Sequence, residues 1–268
     1  MQLNLHQITK SYGSNLALNH FTATLEPGIY ALLGPNGSGK STLMNIITDN
    51  LKADAGEITY TSDDGVTENV LKMGVRFREK LGFMPQYPGL YPNFTVERFM
   101  WYMAALKGLP KEKAKKDIPE ILTAVELDDV PRRKIGALSG GMKQKLALSC
   151  ALIHKPDVLF LDEPTTGVDP VSRKEFWGML CRLKEQGITI IASTPIIDEA
   201  RQCDRIAFIN EGEIKGVDTP DRILTRFAGI LCPPGLQHER VENHENNVIE
   251  VEGLTKRFGN FTSTKGRS

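Results

Sequence analysis

The chain contains 268 residues, enough for one large domain or two small ones with a sizeable apolar core. Its 33 basic residues balance 33 acidic residues, and this zero net charge argues against a dedicated nucleic-acid-binding protein. The sequence shows neither a signal-peptide pattern nor an apolar run near the ~20 residues of a membrane span, so we expect a soluble protein that reaches a membrane only through a partner.

Strand and helix patterns alternate through most of the chain. Roughly alternating apolar residues predict strands over the first 25 residues, and an apolar run at 28–33 predicts a short buried strand before a glycine-rich turn and a helix at 41–48. Residues 62–74 are polar and predict loops. Helical spacing follows at 97–106, 111–127 and 141–153, then come a strand at 157–161, a helix at 171–184, a strand at 188–192 and a hairpin that turns at 211–212.

This alternation predicts an α/β domain over residues 1–226. Such a domain has a largely parallel sheet, with its ligand at the carboxyl ends of the strands. The helical block from about residue 87 to residue 153 interrupts the alternation, and we interpret it as an inserted α-helical subdomain.

The character of the chain changes after residue 226. Residues 227–247 are polar and rich in turn-forming residues, which predicts a linker. The segment VEGLTKRFG at 251–259 then matches LHQITKSYG at 5–13. We interpret residues 248–268 as the truncated start of a second copy of the domain. The alternative is an unrelated β-hairpin of common residues, although the tail TSTKGRS lacks the strand pattern of residues 16–25.

A phosphate-binding motif follows the predicted strand at 28–33. The sequence GPNGSGKST fits G-x-x-x-x-G-K-[ST] between a strand and a helix. Its glycines let backbone N–H groups surround an anion, and the helix N-terminus adds favourable charge. Lys40 is expected to bridge the outer phosphates and the Ser41 hydroxyl to reach Mg²⁺; the alternative is a turn without a ligand. The predicted nucleotide-binding residues are Gly34, Pro35, Asn36, Gly37, Ser38, Gly39, Lys40, Ser41 and Thr42.

An acidic pair ends the buried strand VLFLDE. A nucleotide site needs a second metal contact and a group that activates the attacking water. Asp162 is expected to hold Mg²⁺ through water, and Glu163 to lie over the γ-phosphate and polarise that water. The alternative is a surface acidic pair at a strand end.

Together these motifs resemble the ATP-binding cassette ATPases over residues 2–226, and the most specific element is LSGGMKQ at 138–144. The resemblance implies a P-loop NTPase fold, with a RecA-like mixed sheet, an N-terminal antiparallel β part and an inserted helical signature subdomain. It also implies ATP and Mg²⁺ as ligands. Ser139, Gly140 and Gly141 would face the ATP of a second cassette in a head-to-tail dimer, either a homodimer or a tandem heterodimer.

Three further residues take their expected roles from the same resemblance. Tyr12 resembles the aromatic residue that stacks on adenine, or else is an ordinary packed tyrosine. Gln86 resembles the loop glutamine that meets Mg²⁺ and the water, or else is an exposed loop residue. Asp169 resembles the dimer-contact aspartate, a role that is compatible with capping a helix.

The resemblance also implies a membrane partner. In transporters of this family the region matching residues 87–106 receives a helix of the membrane subunit, although its aromatic residues could instead belong to the core. The sequences GMKQK and GLYPNFTV resemble exporter-type cassettes. We therefore expect an ATPase subunit of an exporter, held in the cytoplasm at the inner face of the cell membrane by an integral membrane subunit, with no nucleic-acid partner.

One position departs from the family pattern. The strand near residue 190 ends in Ser-Thr-Pro, where the family has Ser-Thr-His or similar with a histidine that contacts the γ-phosphate. Pro195 offers neither a side-chain donor nor an N–H group. We therefore expect residues 1–268 to bind ATP–Mg²⁺ but to hydrolyse it slowly.

Two other functions remain open from the sequence. A soluble tandem-cassette ATPase that acts on ribosomes or in repair would share these motifs, although the short, proline-containing linker favours transport. A nucleotide sensor that does not hydrolyse ATP would share them as well.

Overall fold

The computed structural model describes residues 1–231, 255–258 and 261–264. The chain divides into two compact units, Met1–Leu231 and Cys232–Ser268. The first unit therefore extends past the predicted boundary at residue 226, because a short helix occupies Ala228–Leu231. The rest of the predicted linker, residues 232–247, lies outside the described residues.

The first unit has ten strands and ten helices in its described residues. The first half contains β1 (Gln2–Tyr12), β2 (Asn15–Leu25), β3 (Ile29–Leu33), α1 (Lys40–Ile47), β4 (Ala55–Thr61), β5 (Thr67–Asn69), α2 (Val70–Met73), α3 (Val75–Arg78), β6 (Leu81–Met84) and α4 (Val96–Leu106). The second half contains α5 (Lys111–Ala124), α6 (Gly140–Leu152), β7 (Val158–Asp162), α7 (Pro170–Glu185), β8 (Thr189–Thr194), α8 (Ile197–Ala200), β9 (Arg205–Asn210), β10 (Glu213–Asp218), α9 (Pro220–Arg226) and α10 (Ala228–Leu231).

Two sheets organise this unit. The central sheet has the order β10-β9-β3-β8-β7-β6 and is parallel except for the antiparallel pair β9 and β10. The N-terminal sheet has the order β2-β1-β4-β5 and is antiparallel. The predicted α/β fold, with a mixed sheet and an antiparallel N-terminal part, is confirmed.

The central sheet separates two apolar cores. Along β3 the side chains of Ile29, Ala31 and Leu33 pack into one core, and those of Tyr30 and Leu32 into the other. Alternate residues of a strand point to opposite faces, so a sheet covered on both faces needs a continuous apolar sequence. This requirement explains why the strand IYALL is buried at all five positions.

Helices α4, α5 and α6 form the helical block that was predicted to interrupt the alternation of strands and helices. The three helices pack against one another. They belong to the same apolar core as Trp177 and Leu180 of α7. None of the helices in the described part of the chain combines the length and hydropathy of a membrane-spanning segment.

The structure differs from the sequence prediction between residues 55 and 84. Three strands in this stretch were not predicted: β4, β5 and β6. Residues 62–74, predicted as loops, contain β5 and α2. The polar sequence TEN forms a strand because its backbone completes the edge of the N-terminal sheet beside β4, which needs no apolar side chains.

The second unit contains one described hairpin, β11 (Thr255–Phe258) and β12 (Phe261–Thr264). Phe258 pairs with Phe261 across its turn, as Tyr12 pairs with Asn15 across the turn between β1 and β2. The two residue pairs nearest the turn therefore match between the hairpins, but the next pair differs, because Lys10 lies opposite Leu18 across a bulge whereas Lys256 lies opposite Ser263. Residues 262–264 of the tail, where no strand pattern was seen, belong to β12. The remainder of the predicted second copy lies outside the described residues.

Candidate functional site

The site lies where three parallel strands of the central sheet end. Leu33 at the end of β3 pairs with Thr194 at the end of β8, and Ser193 pairs with Asp162 at the end of β7. Loops that follow these strands therefore meet at one edge of the sheet, which is where ligands bind in open α/β sheets.

The loop between β3 and α1 requires glycine at two positions. A Cβ atom on Gly34 would overlap the Ile209 carbonyl oxygen. Gly39 has φ 103°, in the left-handed region, and a Cβ atom there would lie 2.5 Å from the Ala17 carbonyl oxygen. Because glycine has no Cβ atom, the loop can approach the neighbouring backbone closely at both positions. Helix α1 begins directly after the loop, at Lys40, and the free N–H groups of its first turn point toward the loop.

Lys40 is held inside this loop. Its Nζ donates hydrogen bonds to the carbonyl oxygens of Gly34, at 2.8 Å, and Pro35, at 2.9 Å, and the residue is 5% exposed. Burial lowers the pKa of the ammonium group, and the carboxylates of Glu163 and Asp162 oppose that shift. Two of the three ammonium N–H bonds have protein acceptors, so one can reach a ligand.

An open cavity of about 420 Å³ joins this loop to the predicted base-binding residue. Tyr12 lies on its wall and is 51% exposed, with the Lys10 ammonium 5.8 Å from its ring centre. An exposed aromatic ring beside a phosphate loop fits the stacking of a nucleotide base. The lining residues are Tyr12, Asn15, Ala17, Asn36, Gly37, Gly39, Lys40, Ser41, Thr42, Gln86 and Glu163.

One oxygen of Asp162 joins two hydroxyl groups. Ser41 Oγ donates to Asp162 Oδ1 at 3.3 Å, and Ser193 Oγ donates to the same oxygen at 2.5 Å. The structure therefore brings together the hydroxyl and the carboxylate that were both predicted to serve Mg²⁺.

Glu163 is fixed on the cavity side of the same strand end. Its backbone has φ 46° and is held by hydrogen bonds from Glu163 N to Ser193 O and Oγ, at 3.2 and 3.0 Å. Its carboxylate oxygen Oε2 accepts from Gln86 Nε2 at 2.9 Å and from Thr166 Oγ1 at 3.1 Å. A left-handed backbone costs free energy in a non-glycine residue, and such conformations concentrate at functional sites.

The side chains at this site suit the binding of a cation that prefers oxygen ligands together with an anion. Hydroxyl, carboxylate and amide oxygens of Ser41, Asp162 and Gln86 are the kinds of ligand that Mg²⁺ takes alongside phosphate oxygens. Ser38 Oγ is buried and has no hydrogen-bond partner among the described residues, as expected of a group that meets a phosphate. Within the same residues no group of three or more His, Cys, Asp or Glu side chains forms a metal site.

The signature residues lie away from this cavity, with Ser139 and Gly140 exposed and Gly141 buried. Ser139 caps α6, its hydroxyl accepting a hydrogen bond from Met142 N at 3.2 Å. Gly141 packs against Ser172, which lies 2.7 Å from the position of a Cβ atom. Ser139, Gly140 and Gly141 do not line the cavity that holds Lys40.

Asp169 caps α7. Its Oδ1 accepts hydrogen bonds from the backbone N–H groups of Val171, at 3.1 Å, and Ser172, at 3.0 Å. The Ser172 N–H in particular holds the pKa of this carboxyl below its ordinary value. The Asp169 side chain lies at an exposed position.

Pro195 follows β8 directly and is exposed. The hydroxyl of the preceding Thr194 accepts a hydrogen bond from Ile196 N at 3.0 Å and so closes a turn around the proline. The segment that would carry a phosphate-contacting side chain thus carries a pyrrolidine ring.

A second, mostly apolar groove of about 360 Å³ lies between β6 and the helices α4 and α6. Its lining includes Leu90, Phe99 and Met103, all within the predicted docking segment 87–106. The full lining is Thr48, Asn50, Arg78, Leu81, Phe83, Pro85, Pro88, Gly89, Leu90, Phe99, Met103, Lys107, Ala147, Cys150 and Ala151.

Sequence reasoning missed Ser193 and Thr166 at this site. Ser193 is fully buried, and its hydroxyl touches both Asp162 and the backbone of Glu163. The available signal was a hydroxyl residue at the end of an apolar strand, IIAST, where a core residue would be expected.

Comparison with known proteins gives related sequences across most of the chain. A protein-family model described as "ABC transporter" matches residues 18–166. The "Probable multidrug ABC transporter ATP-binding protein YbhF" of Escherichia coli (strain K12) is 35% identical over 223 residues, which cover 83% of this chain and 38% of YbhF. The "Nod factor export ATP-binding protein I" of Burkholderia orbicola (strain AU 1054) is 36% identical over 229 residues, covering 85% of this chain and 74% of that protein.

Solved structures agree with the fold. The dimeric structure of MJ0796, described as a bacterial ABC transporter cassette, superposes with a TM-score of 0.70 at 28% identity. The match covers 81% of this chain and 98% of the MJ0796 chain.

Proposed function

Because the chain belongs to the ABC transporter family, as an ATP-binding subunit, we propose that it binds and hydrolyses ATP to drive export through a separate membrane subunit. The chain spans less than two fifths of YbhF, so the activity of that whole protein is no guide to this one. The observation that carries the proposal is that Lys40, Gln86 and Glu163 line one cavity, with Gln86 bonded to Glu163. Asp162 joins them through its hydrogen bond from Ser41, which lines the same cavity.

Each side chain of the site has a separate role in hydrolysis. Lys40 and the N–H groups at the start of α1 bind the outer phosphates of ATP. Ser41, Gln86 and Asp162 would hold Mg²⁺, which neutralises phosphate charge when bound. Glu163 accepts the proton of a water whose oxygen forms a bond to the γ-phosphorus, while the bond from that phosphorus to the β–γ bridging oxygen breaks. The products are ADP and phosphate.

A second cassette is proposed to complete the site. The signature residues Ser139, Gly140 and Gly141 lie outside the chain's own cavity, at a helix N-terminus that suits an anion. A head-to-tail dimer would bring them to the ATP of the partner and would place the exposed Asp169 at the interface. Burial of two nucleotides between the cassettes would make dimerisation depend on ATP.

The second copy in such a dimer could belong to the same polypeptide. The two pairs nearest the turn at 257–262 repeat the pairing at 11–16, which supports the interpretation of residues 248–268 as the start of another cassette. We therefore propose the predicted order, with the first boundary moved from residue 226 to residue 231: an ATPase domain, a linker to residue 247 and a second cassette from residue 248.

Hydrolysis by this site is proposed to be slow because Pro195 supplies no donor to the γ-phosphate. The substitution Pro195→His is expected to raise kcat of the dimer by about tenfold, the effect of one charge-assisted hydrogen bond worth about 1.5–3 kcal/mol. Phosphate release with ATP and Mg²⁺ is the measurement.

Pro195→Ala is the matched control for that experiment. It removes the ring without adding a donor, so its kcat should remain that of the native chain. An unchanged rate in Pro195→His, or an equal rise in both variants, would count against the missing contact as the cause. Rapid turnover by the unaltered chain would contradict slow hydrolysis itself.

The groove beside β6 is proposed to receive a segment of the membrane subunit, which would hold the protein at the inner face of the membrane. Gly89 lies on this groove, and a Cβ atom there would meet nothing within 4 Å. Gly89→Glu should therefore place a charge in an apolar groove without straining the fold. We expect it to abolish co-purification with a membrane protein while leaving ATP affinity unchanged.

Gly178→Glu is the matched control, because it adds the same charge at a position on α7 that has open space around it. This variant should still co-purify with the membrane protein. Equal recovery of a membrane protein with both variants would contradict docking at this groove. Co-sedimentation of the native chain with ribosomes, in place of a membrane protein, would contradict the transport function and leave the ATP site standing.

A further inference from the structure

A buried carboxylate lies behind the nucleotide site and takes no direct part in it. Glu199, on α8, is 1% exposed. Its Oε1 accepts a hydrogen bond from Thr165 Oγ1, and its Oε2 accepts one from Thr194 Oγ1 at 2.5 Å. Arg173 Nε lies 3.3 Å from Oε1 and forms an ion pair with it.

The three partners of Glu199 come from three different segments. Thr194 ends β8, directly before Pro195. Thr165 belongs to the loop between β7 and α7, which runs from Glu163 to Asp169. Arg173 lies on α7, and its Nη2 donates a further hydrogen bond to Val168 O at 3.3 Å. The loop is thus attached to Glu199 near its start through Thr165 and near its end through Arg173.

The attachment of the loop to Glu199 is connected to the Glu163 carboxylate through the next residue of the chain. Thr166 follows Thr165 and donates its hydroxyl to Glu163 Oε2 at 3.1 Å. A buried carboxylate is costly unless its acceptors are satisfied, so both threonine hydroxyls are strongly held in place. Movement of the end of β8 relative to the loop would break hydrogen bonds to a charged group.

Because Pro195 stands directly after β8, the hydrogen bonds between the end of β8 and the 163–169 loop are more important for linking these two segments. Pro195 has no side-chain donor with which to sense the γ-phosphate. The described contacts that link the end of β8 to the 163–169 loop are the Ser193 hydrogen bonds near Glu163 and the Thr194–Glu199–Thr165 chain. The second also reaches α7, the helix that Asp169 caps, through the ion pair of Glu199 with Arg173.

We propose that Glu199 is a positioning residue for dimer closure. It holds the 163–169 loop in register with the end of β8, so that Glu163 faces the nucleotide while Asp169 faces the second cassette. This inference rests on the proposed ATP site and head-to-tail dimer. It assigns Glu199 no contact with ATP.

Glu199→Gln in the full chain tests the proposal, because it keeps the shape and removes the charge and one acceptor. ATP affinity should stay within about twofold of the native chain, and ATP-dependent dimerisation should weaken about tenfold, the effect of one unmade buried hydrogen bond. Nucleotide titration and analytical ultracentrifugation with ATP and Mg²⁺ provide the two measurements. kcat should fall while KM changes little.

Three companion variants separate positioning from simple stability. Asp198→Asn removes the same charge from the exposed neighbour on α8 and should behave as the native chain. Glu199→Asp restores the charge and should recover part of the dimerisation. Thr165→Val should weaken dimerisation as well, and combining it with Glu199→Gln should add little, because the two residues share one interaction.

The outcomes are distinguishable. Normal dimerisation by Glu199→Gln overturns the proposal, as does a loss of ATP affinity and dimerisation in proportion to a lowered Tm. If Glu199→Gln fails to fold, Thr165→Val and Thr194→Val decide the question, and normal dimerisation by both overturns the proposal. A native chain that binds no ATP would instead refute the proposed function.

Discussion

Replacing Glu163 with glutamine is expected to lower ATP turnover by about 10²–10⁴-fold, the contribution of a well-placed general base. The amide keeps an oxygen that can accept from Gln86 Nε2, so the site should retain its shape and its affinity for ATP–Mg²⁺. Since products no longer form, the ATP-bound dimer should accumulate. Phosphate release and the sedimentation of the dimer measure the two effects.

The native rate must be high enough for such a loss to be seen. The measurement is therefore made both in the native chain and with Pro195→His, where faster turnover is expected. Glu211→Gln is the matched control, because Glu211 shares the left-handed backbone of Glu163, at φ 52°, but lies exposed and away from the cavity lining. A Glu163→Gln protein that hydrolyses ATP at the parent rate would remove Glu163 from its catalytic role.

Replacing Lys40 with alanine is expected to weaken ATP binding by about 10–150-fold, because one hydrogen bond to a charged group contributes about 1.5–3 kcal/mol. Lys40 is buried, which lowers the pKa of its ammonium group, and its attraction to phosphate is there little screened by water. Titration with ATP and Mg²⁺, by calorimetry or a fluorescent analogue, gives the affinity.

The same substitution leaves the Gly34 and Pro35 carbonyl groups without their donor, so a fall in Tm without nucleotide must be measured alongside. Lys72→Ala removes an exposed lysine from α2 and should change neither quantity. ATP binding by Lys40→Ala at native affinity would mean that the loop does not hold the phosphates.

The glycine-rich loop and the acidic pair were predictable because local sequence determines both. Gly34 and Gly39 have no tolerable substitute at their close backbone approaches, and Asp162 and Glu163 directly follow a strand whose apolar sequence is unmistakable. The predicted helices agree with the structure to within a few residues at each end, which is the usual uncertainty where a helix begins or ends.

Other features could not be predicted because they depend on distant residues. Ser193 matters only since β7 and β8 are adjacent and in a register that places its hydroxyl beside Asp162. Glu199 matters only since Thr165, 34 positions away, folds against it. Short strands such as β6, with the sequence LGFM, carry too few residues to show alternation.

The loop of Lys40 has a kinetic consequence. The side chain is already in place before any ligand arrives, with two N–H bonds committed to the loop and one left over. Capture of a nucleotide then costs little side-chain entropy and needs no slow rearrangement of the lysine. Encounter with ATP at this site is expected to be fast, and the slow events of the cycle are left to hydrolysis and to the meeting and parting of the two cassettes.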